Sequence, residues 1–197
     1  MSATNLLLAS IAIASLIGLY ARPALIQKSL FRPYWLLPKR QYLTLLSSGF
    51  VHANVPHLLF NALTLWSFGS SLERAMGTPQ YLALYFVCLF VSDWGTWIKH
   101  HADPNYASLG ASGAILGVLF ASIVYFPHQS VSFIFLPIPI PGPLFALGYL
   151  AYTWYASRQA RGNINHDAHF SGALAGMAFV ALFDPYVWGR AVDTLLH

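Results

Sequence analysis

Three short stretches of this chain place hydroxyl, imidazole and amide side chains in otherwise apolar surroundings. They are HANVPHLLFN (residues 52–61), GASG (residues 110–113) and HDAHFSGALAG (residues 166–176). A serine hydroxyl becomes an effective nucleophile when a base takes its proton, and histidine is the usual base. Ser112 and His169 are therefore the candidate nucleophile and general base of an acyl-transfer site.

Attack of a serine on an amide forms an oxyanion, which requires hydrogen-bond donors that are already in place. His57 and Asn61 are four residues apart, so they lie on one face of a helix. Ser112 lies near the start of a predicted helix, where unpaired N–H groups and the helix dipole favour negative charge. We expect the donors to be His57, the Asn61 amide and the backbone N–H of Ser112, with His52 in a supporting rather than catalytic role.

The composition indicates which solvent surrounds these residues. Hydrophobic residues make up 57% of the 197 residues and charged residues only 8%, whereas soluble domains carry about 25% charged residues. So few charges cannot cover a water-facing surface, so we predict an integral, multi-pass membrane protein. The net charge of +4 comes from scattered Lys and Arg residues, which form no nucleic-acid-binding patch.

Six apolar segments are long enough to serve as membrane spans. Their approximate bounds are 4–21, 56–72, 79–98, 109–126, 142–157 and 167–184. We interpret the first as a membrane helix rather than a cleaved signal peptide, because no Lys or Arg precedes it. The loop over residues 22–55 is rich in aromatic residues and is expected to lie at the membrane interface. Residues 1–197 are thus predicted to form one domain, an all-α bundle of six transmembrane helices with a long interfacial first loop.

The order of the spans brings the polar stretches together. In a six-helix serpentine, helices 2, 4 and 6 all begin on the same side of the membrane. Gly113 and Gly117 form a GxxxG pattern in helix 4, and Gly172 and Gly176 form another in helix 6; such patterns allow close helix packing in membranes. Packing through these glycines would bring His169 within hydrogen-bond reach of Ser112.

The set HxxxxHxxxN, GASGAILG and AHFSGALAG, in that order over about residues 40–185, resembles the rhomboid intramembrane serine proteases. The stretch Asn-His-Asp-Ala-His (residues 165–169) is similar to the group that contains the presenilin-associated rhomboid-like protease. The resemblance implies a six-helix rhomboid bundle and a Ser–His dyad without a third acidic member. It implies that Ser112 is the nucleophile and His169 the base, and it makes supporting residues of His52, Gly110, Gly113, Gly172 and Gly176.

The resemblance also implies substrates that are single membrane spans cleaved near one membrane face, with access controlled by the fifth helix and residues 157–165. Two family features are missing from this chain. Residues 41–46 lack the Trp-Arg pair that many rhomboids carry in the first loop. Leu116 stands where many bacterial members have a tyrosine that stacks on the catalytic histidine, so His169 needs another partner to orient it.

Alternative functions remain open from the residues alone. The chain could be a catalytically inactive rhomboid-like protein that binds membrane spans, or a small transporter that uses its intramembrane histidines. A zinc site at His166 and His169 is disfavoured, because no glutamate accompanies them as in HExxH. We expect an intramembrane serine endopeptidase without metal or cofactor, whose partners are transmembrane substrates and the lipid bilayer, with no nucleic acid. We expect it in a bacterial inner (plasma) membrane.

Overall fold

The computed structural model describes residues 1–133, 136–159 and 164–196. The longer helices are α1 (Ala3–Leu16), which continues as a π-helix over Ile17–Ala21, α4 (Val55–Met76), α5 (Thr78–His100), α6 (Ser112–Tyr125), α7 (Gly142–Gln159), α8 (His166–Phe183) and α9 (Pro185–Leu196). Two short helices, α2 (Pro23–Ser29) and α3 (Thr44–Ser47), lie in the first loop.

Helix α6 forms the centre of the bundle. Every residue from Gly113 to Val124 is buried, and α4, α5 and α8 all pack against it. A helix that is apolar on all sides is stable when protein surrounds it completely. The helix that begins at Ser112 is therefore held from several directions.

Local sequence signals set the ends of the helices that frame the site. The Asn54 side chain accepts a hydrogen bond from the backbone N–H of His57, and Pro56 lies in the first turn of α4. Asparagine is a favoured N-cap residue, and proline is favoured in the first turn because its missing N–H would have no partner there. Helix α5 likewise begins at Thr78, next to Pro79. His57 and Asn61 therefore occupy the first two turns of α4.

The carboxylate of Glu73 fastens the N-terminus of α1 to the far end of α4. It accepts hydrogen bonds from the backbone N–H groups of Ala3 and Thr4, at 2.8 and 2.9 Å. It also accepts from the hydroxyls of Thr4 and Thr78. An anion at a helix N-terminus satisfies donors that have no partner within the helix and interacts favourably with the helix dipole.

The protein is an all-α membrane bundle with an apolar exterior. Ala3–Ala21 and Thr78–His100 are each long and apolar enough to cross a membrane, and α8 and α9 together pass the same test as a pair bent by 111°. Large apolar side chains such as Trp66, Leu147 and Leu182 are exposed on the outside of the bundle. A count of six spans stays a prediction.

Two features of the structure were not predicted from the sequence, a two-stranded sheet and a final helix. The proline-rich stretch between the fourth and fifth predicted spans contains strand β2 (Leu136–Pro141), which pairs antiparallel with β1 (Ser130–Phe133). Proline is tolerated there because β2 is an edge strand of a two-stranded sheet. Helix α9 was not predicted either, because it begins at Pro185, directly after the last predicted span over residues 167–184.

Candidate active site

Close contact between α6 and α8 creates the candidate site. A Cβ atom added to Gly172 would overlap the backbone oxygen of Gly113, and one added to Gly176 would overlap the backbone oxygen of Gly117. The two GxxxG faces therefore lie backbone against backbone, which no larger residue at positions 172 and 176 would permit. This contact sets the position of His169 along the axis of α8 relative to Ser112 on α6.

Ser112 and His169 lie within hydrogen-bond distance of each other. Ser112 Oγ is 2.8 Å from His169 Nε2, and both side chains are partly buried. Ser112 is the first residue of α6, so its backbone N–H has no acceptor within the helix. The site thus combines a hydroxyl, an imidazole acceptor and an unpaired backbone donor at one helix start.

The first two turns of α4 lie beside this helix start. The His57 ring packs against Gly110, where a Cβ would lie 2.5 Å from His57 Cε1. Gly110 also has a φ of 121°, in the region that favours glycine. Asn61 is buried one turn further along α4, and its Nδ2 has no hydrogen-bond partner among the described residues. Such an orphaned donor is rare in a protein interior and could serve a bound oxyanion.

His52 connects α1 with the backbone just before Ser112. Its Nε2 accepts from the N–H of Ala111 at 3.4 Å, and its Nδ1 lies 2.9 Å from Ser15 Oγ. The residue is fully buried, and burial lowers the pKa of His52 to about 3. The ring is therefore neutral at physiological pH, with a hydrogen on Nδ1 for Ser15. These contacts indicate that His52 holds the backbone before Ser112 against α1.

Sequence reasoning missed Tyr149 of α7. Its hydroxyl lies 3.1 Å from His169 Nδ1, on the opposite side of the imidazole from Ser112. The position expected to carry a family tyrosine, Leu116, is buried in an apolar cluster that also contains Phe120 and Phe145. From the sequence one could infer only that His169 needs a partner. Tyr149 could not be identified as that partner, because it shares an apolar helix with two other tyrosines, Tyr152 and Tyr155.

The charged residues next to the site face away from it. Asp167 pairs with Lys99 Nζ and His100 Nε2, each at 3.0 Å, and so joins α8 to the end of α5. It makes no contact with His169 that would form a triad. The described residues contain no cluster of His, Cys, Asp or Glu that could hold a metal ion. The implied gate at residues 157–165 includes residues 160–163, which lie outside the described part of the chain.

Comparison with known proteins agrees with this architecture. The family model for the rhomboid domain matches residues 39–185. Rhomboid protein 1, mitochondrial, of Saccharomyces cerevisiae is 31% identical over 159 residues, which are 76% of this chain and 45% of that protein. The human presenilin-associated rhomboid-like protein, mitochondrial, is 31% identical over 172 residues, 83% of this chain and 44% of the relative.

A plant relative, the RHOMBOID-like protein 12, mitochondrial, of Arabidopsis thaliana, is 27% identical over 156 residues, 71% of this chain and 46% of its own length. The chain thus spans less than half the length of these relatives. Their names overturn the expected bacterial inner membrane, because all three are mitochondrial proteins. Hydropathy and helix length report only the thickness of a bilayer, so they could not separate the two locations. The match over most of its length shows that the chain belongs to the rhomboid family, with similarity to the presenilin-associated group.

Proposed function

We propose that this protein is an active intramembrane serine endopeptidase that uses Ser112 and His169 as a catalytic dyad. The observation that carries the proposal is the 2.8 Å separation of Ser112 Oγ and His169 Nε2 at the start of the most deeply buried helix. The rhomboid family is one of intramembrane serine proteases, and rhomboid proteases act on membrane protein substrates within the bilayer. Activity of this member is the step beyond the family assignment.

The proposed reaction begins when His169 Nε2 takes the Ser112 proton as Oγ attacks the scissile carbonyl carbon. The carbonyl π electrons move to oxygen, and the resulting oxyanion accepts hydrogen bonds from the Ser112 N–H and Asn61 Nδ2, with His57 beside it. The tetrahedral intermediate collapses when His169 passes its proton to the leaving amine, which breaks the C–N bond. Water then hydrolyses the acyl-enzyme by the same proton route and restores the Ser112 hydroxyl.

The location of the site constrains the proposed substrates. The residues of the site lie at the starts of α4, α6 and α8, which is one end of the bundle. The substrate segment around the scissile bond must be extended to reach Ser112. We therefore propose that substrates are single-span proteins whose helix ends or unwinds near that membrane face. The mitochondrial relatives favour a mitochondrial membrane as the place of action.

Cleavage of a single-span reporter protein in reconstituted vesicles tests the proposal. We expect wild-type protein to cleave the reporter and Ser112→Ala to reduce the rate to background, because Ser112 Oγ is the hydroxyl that faces Nε2, the proposed basic nitrogen of His169. Ser122→Ala is the matched control, since Ser122 is a second serine of α6 that is buried and lies ten residues further along the helix. Equal cleavage by wild type and Ser112→Ala would refute the dyad. Absence of cleavage by folded wild type across several reporters would instead favour an inactive, span-binding protein.

A further inference from the structure

The imidazole of His169 has two ring nitrogens, and each faces a hydroxyl from a different helix. Nε2 faces Ser112 Oγ of α6 at 2.8 Å, and Nδ1 faces Tyr149 Oη of α7 at 3.1 Å. A neutral imidazole carries one hydrogen, so its two nitrogens act as one donor and one acceptor. The partner at Nδ1 therefore influences whether Nε2 is free to take a proton.

We propose that Tyr149 is a positioning residue that holds the His169 ring in the tautomer needed for catalysis. For Nε2 to accept the Ser112 proton, Nδ1 must carry the hydrogen, and the adjacent acceptor is Tyr149 Oη. The same oxygen still accepts from Nδ1 after proton transfer, when both nitrogens carry hydrogens. Tyr149 thus supports the base both before and after the step, without touching the reacting atoms.

Packing around Tyr149 gives the hydroxyl a fixed location. Its ring stacks on Phe145 with centroids 5.5 Å apart and lies 5.8 Å from the ring of Phe120. Phe145 belongs to α7 and Phe120 to α6, so the ring is held between two helices. An aromatic side chain has only two χ angles, so little conformational entropy is lost when its ring is packed in this way.

Because Tyr149 lies on α7, the orientation of the His169 ring depends on how α7 packs against α8. Helix α7 packs mainly against α8 and makes a smaller contact with α6. A shift of α7 away from α8 would remove the partner of Nδ1 while Ser112 stays in place on α6. His169 is then oriented for catalysis only while α7 is seated on α8.

This inference rests on the proposed function. Two measurements distinguish a failure of the positioning role of Tyr149 from a failure of the proposed protease activity. The first is the rate at which a fluorophosphonate probe labels Ser112 in detergent-solubilised protein. The second is the ¹⁵N NMR signal of the His169 ring nitrogens, assigned by comparison with His169→Gln. The ring signal reports the tautomer even in a protein that does not react with the probe.

The decisive variant is Tyr149→Phe, which keeps the ring contacts and removes the hydroxyl. We expect labelling to slow about 3- to 10-fold, as the loss of one neutral hydrogen bond implies, and kcat for a reporter to fall while KM stays within about twofold. The Nδ1-protonated ring signal should give way to a mixture of tautomers. The matched control is Tyr152→Phe, on the same helix with its ring edge-on to His166, which should behave as wild type.

Unchanged labelling and unchanged ring signals in Tyr149→Phe would overturn the positioning role. A slower reaction with an unaltered tautomer, or an equal loss in Tyr152→Phe, would overturn it as well. Absence of labelling in folded wild-type protein would refute the proposed protease. In that event the ring signals alone decide whether Tyr149 sets the tautomer of His169.

Discussion

Asn61 is a buried side chain whose amide nitrogen lacks a partner among the described residues. Burying an amide without a hydrogen bond costs about 1–3 kcal/mol in proteins, so a bound group that accepts from Nδ2 would be favoured at this position. Departures from ordinary local rules, such as an unpaired buried amide, are expected at functional sites. Asn61 lies one helical turn after His57, whose ring packs against Gly110, so the orphaned donor belongs to the same end of the bundle as Ser112.

At the residue scale we predict that Asn61→Ala lowers kcat for reporter cleavage strongly but changes the thermal stability of the protein little. The loss of one oxyanion donor lowers kcat by about 10²–10³, whereas the folded state loses no hydrogen bond from Nδ2. The measurement is reporter cleavage together with thermal unfolding in detergent. Thr64→Ala is the control, because Thr64 also lies on α4 but its hydroxyl donates to the backbone oxygen of Phe60 in the same helix. A variant with wild-type kcat would exclude Asn61 from the oxyanion site.

The sequence identifies some residues of the candidate site better than others. His57 and Asn61 could be paired because four residues in a helix return the chain to the same face. Tyr149 could not be found, since the contact with His169 depends on the rotation of α7 about its own axis. That rotation is set by packing of α7 against α8 and α6 and leaves no periodic signal in an apolar helix.

At the element scale the contact between α6 and α8 carries the geometry of the site. A Cβ at position 176 meets the backbone of Gly117, which cannot move aside as a flexible side chain could. Helix packing at this point therefore requires glycine, and the spacing of Ser112 and His169 depends on it.

We predict that Gly176→Ala destabilises the protein by about 1–3 kcal/mol, as overpacking of a filled interface does. It should also lower kcat, because the displacement of α8 moves His169 relative to Ser112. The control is Gly148→Ala on α7, where an added Cβ meets nothing within 4 Å. That change should be neutral or stabilise by up to about 1 kcal/mol, because alanine is the better helix former. Equal stability of the two variants in denaturant unfolding would show that the close contact is absent.

The sequence also sets limits on which elements can be foreseen. Helix ends at Asn54, Thr78 and Asp184 follow from capping residues and prolines, which act locally. The pairing of β1 with β2 was missed, because proline within a run argues against a strand other than an edge strand. Helix α9 was missed because its amphipathic pattern follows directly on the apolar run of α8.

At the scale of the whole molecule, chain order alone predicts which helix ends meet. Alternate helices of a serpentine begin on one side, and the structure places the starts of α4, α6 and α8 around Ser112 and His169. The type of membrane could not be predicted, because an apolar exterior matches any bilayer of similar thickness. The expected bacterial membrane was wrong, because the relatives that the chain matches are mitochondrial proteins.

The central claim is that His169 activates Ser112, and active-site labelling tests it most directly. Purified wild type, Ser112→Ala and His169→Ala are incubated with a fluorophosphonate probe in detergent, beside a rhomboid of known activity. We predict that wild type is labelled and that both variants are not, because the serine needs its base. Labelling of Ser112→Ala, labelling of His169→Ala at the wild-type rate, or no labelling of folded wild type beside a labelled reference would each contradict the dyad.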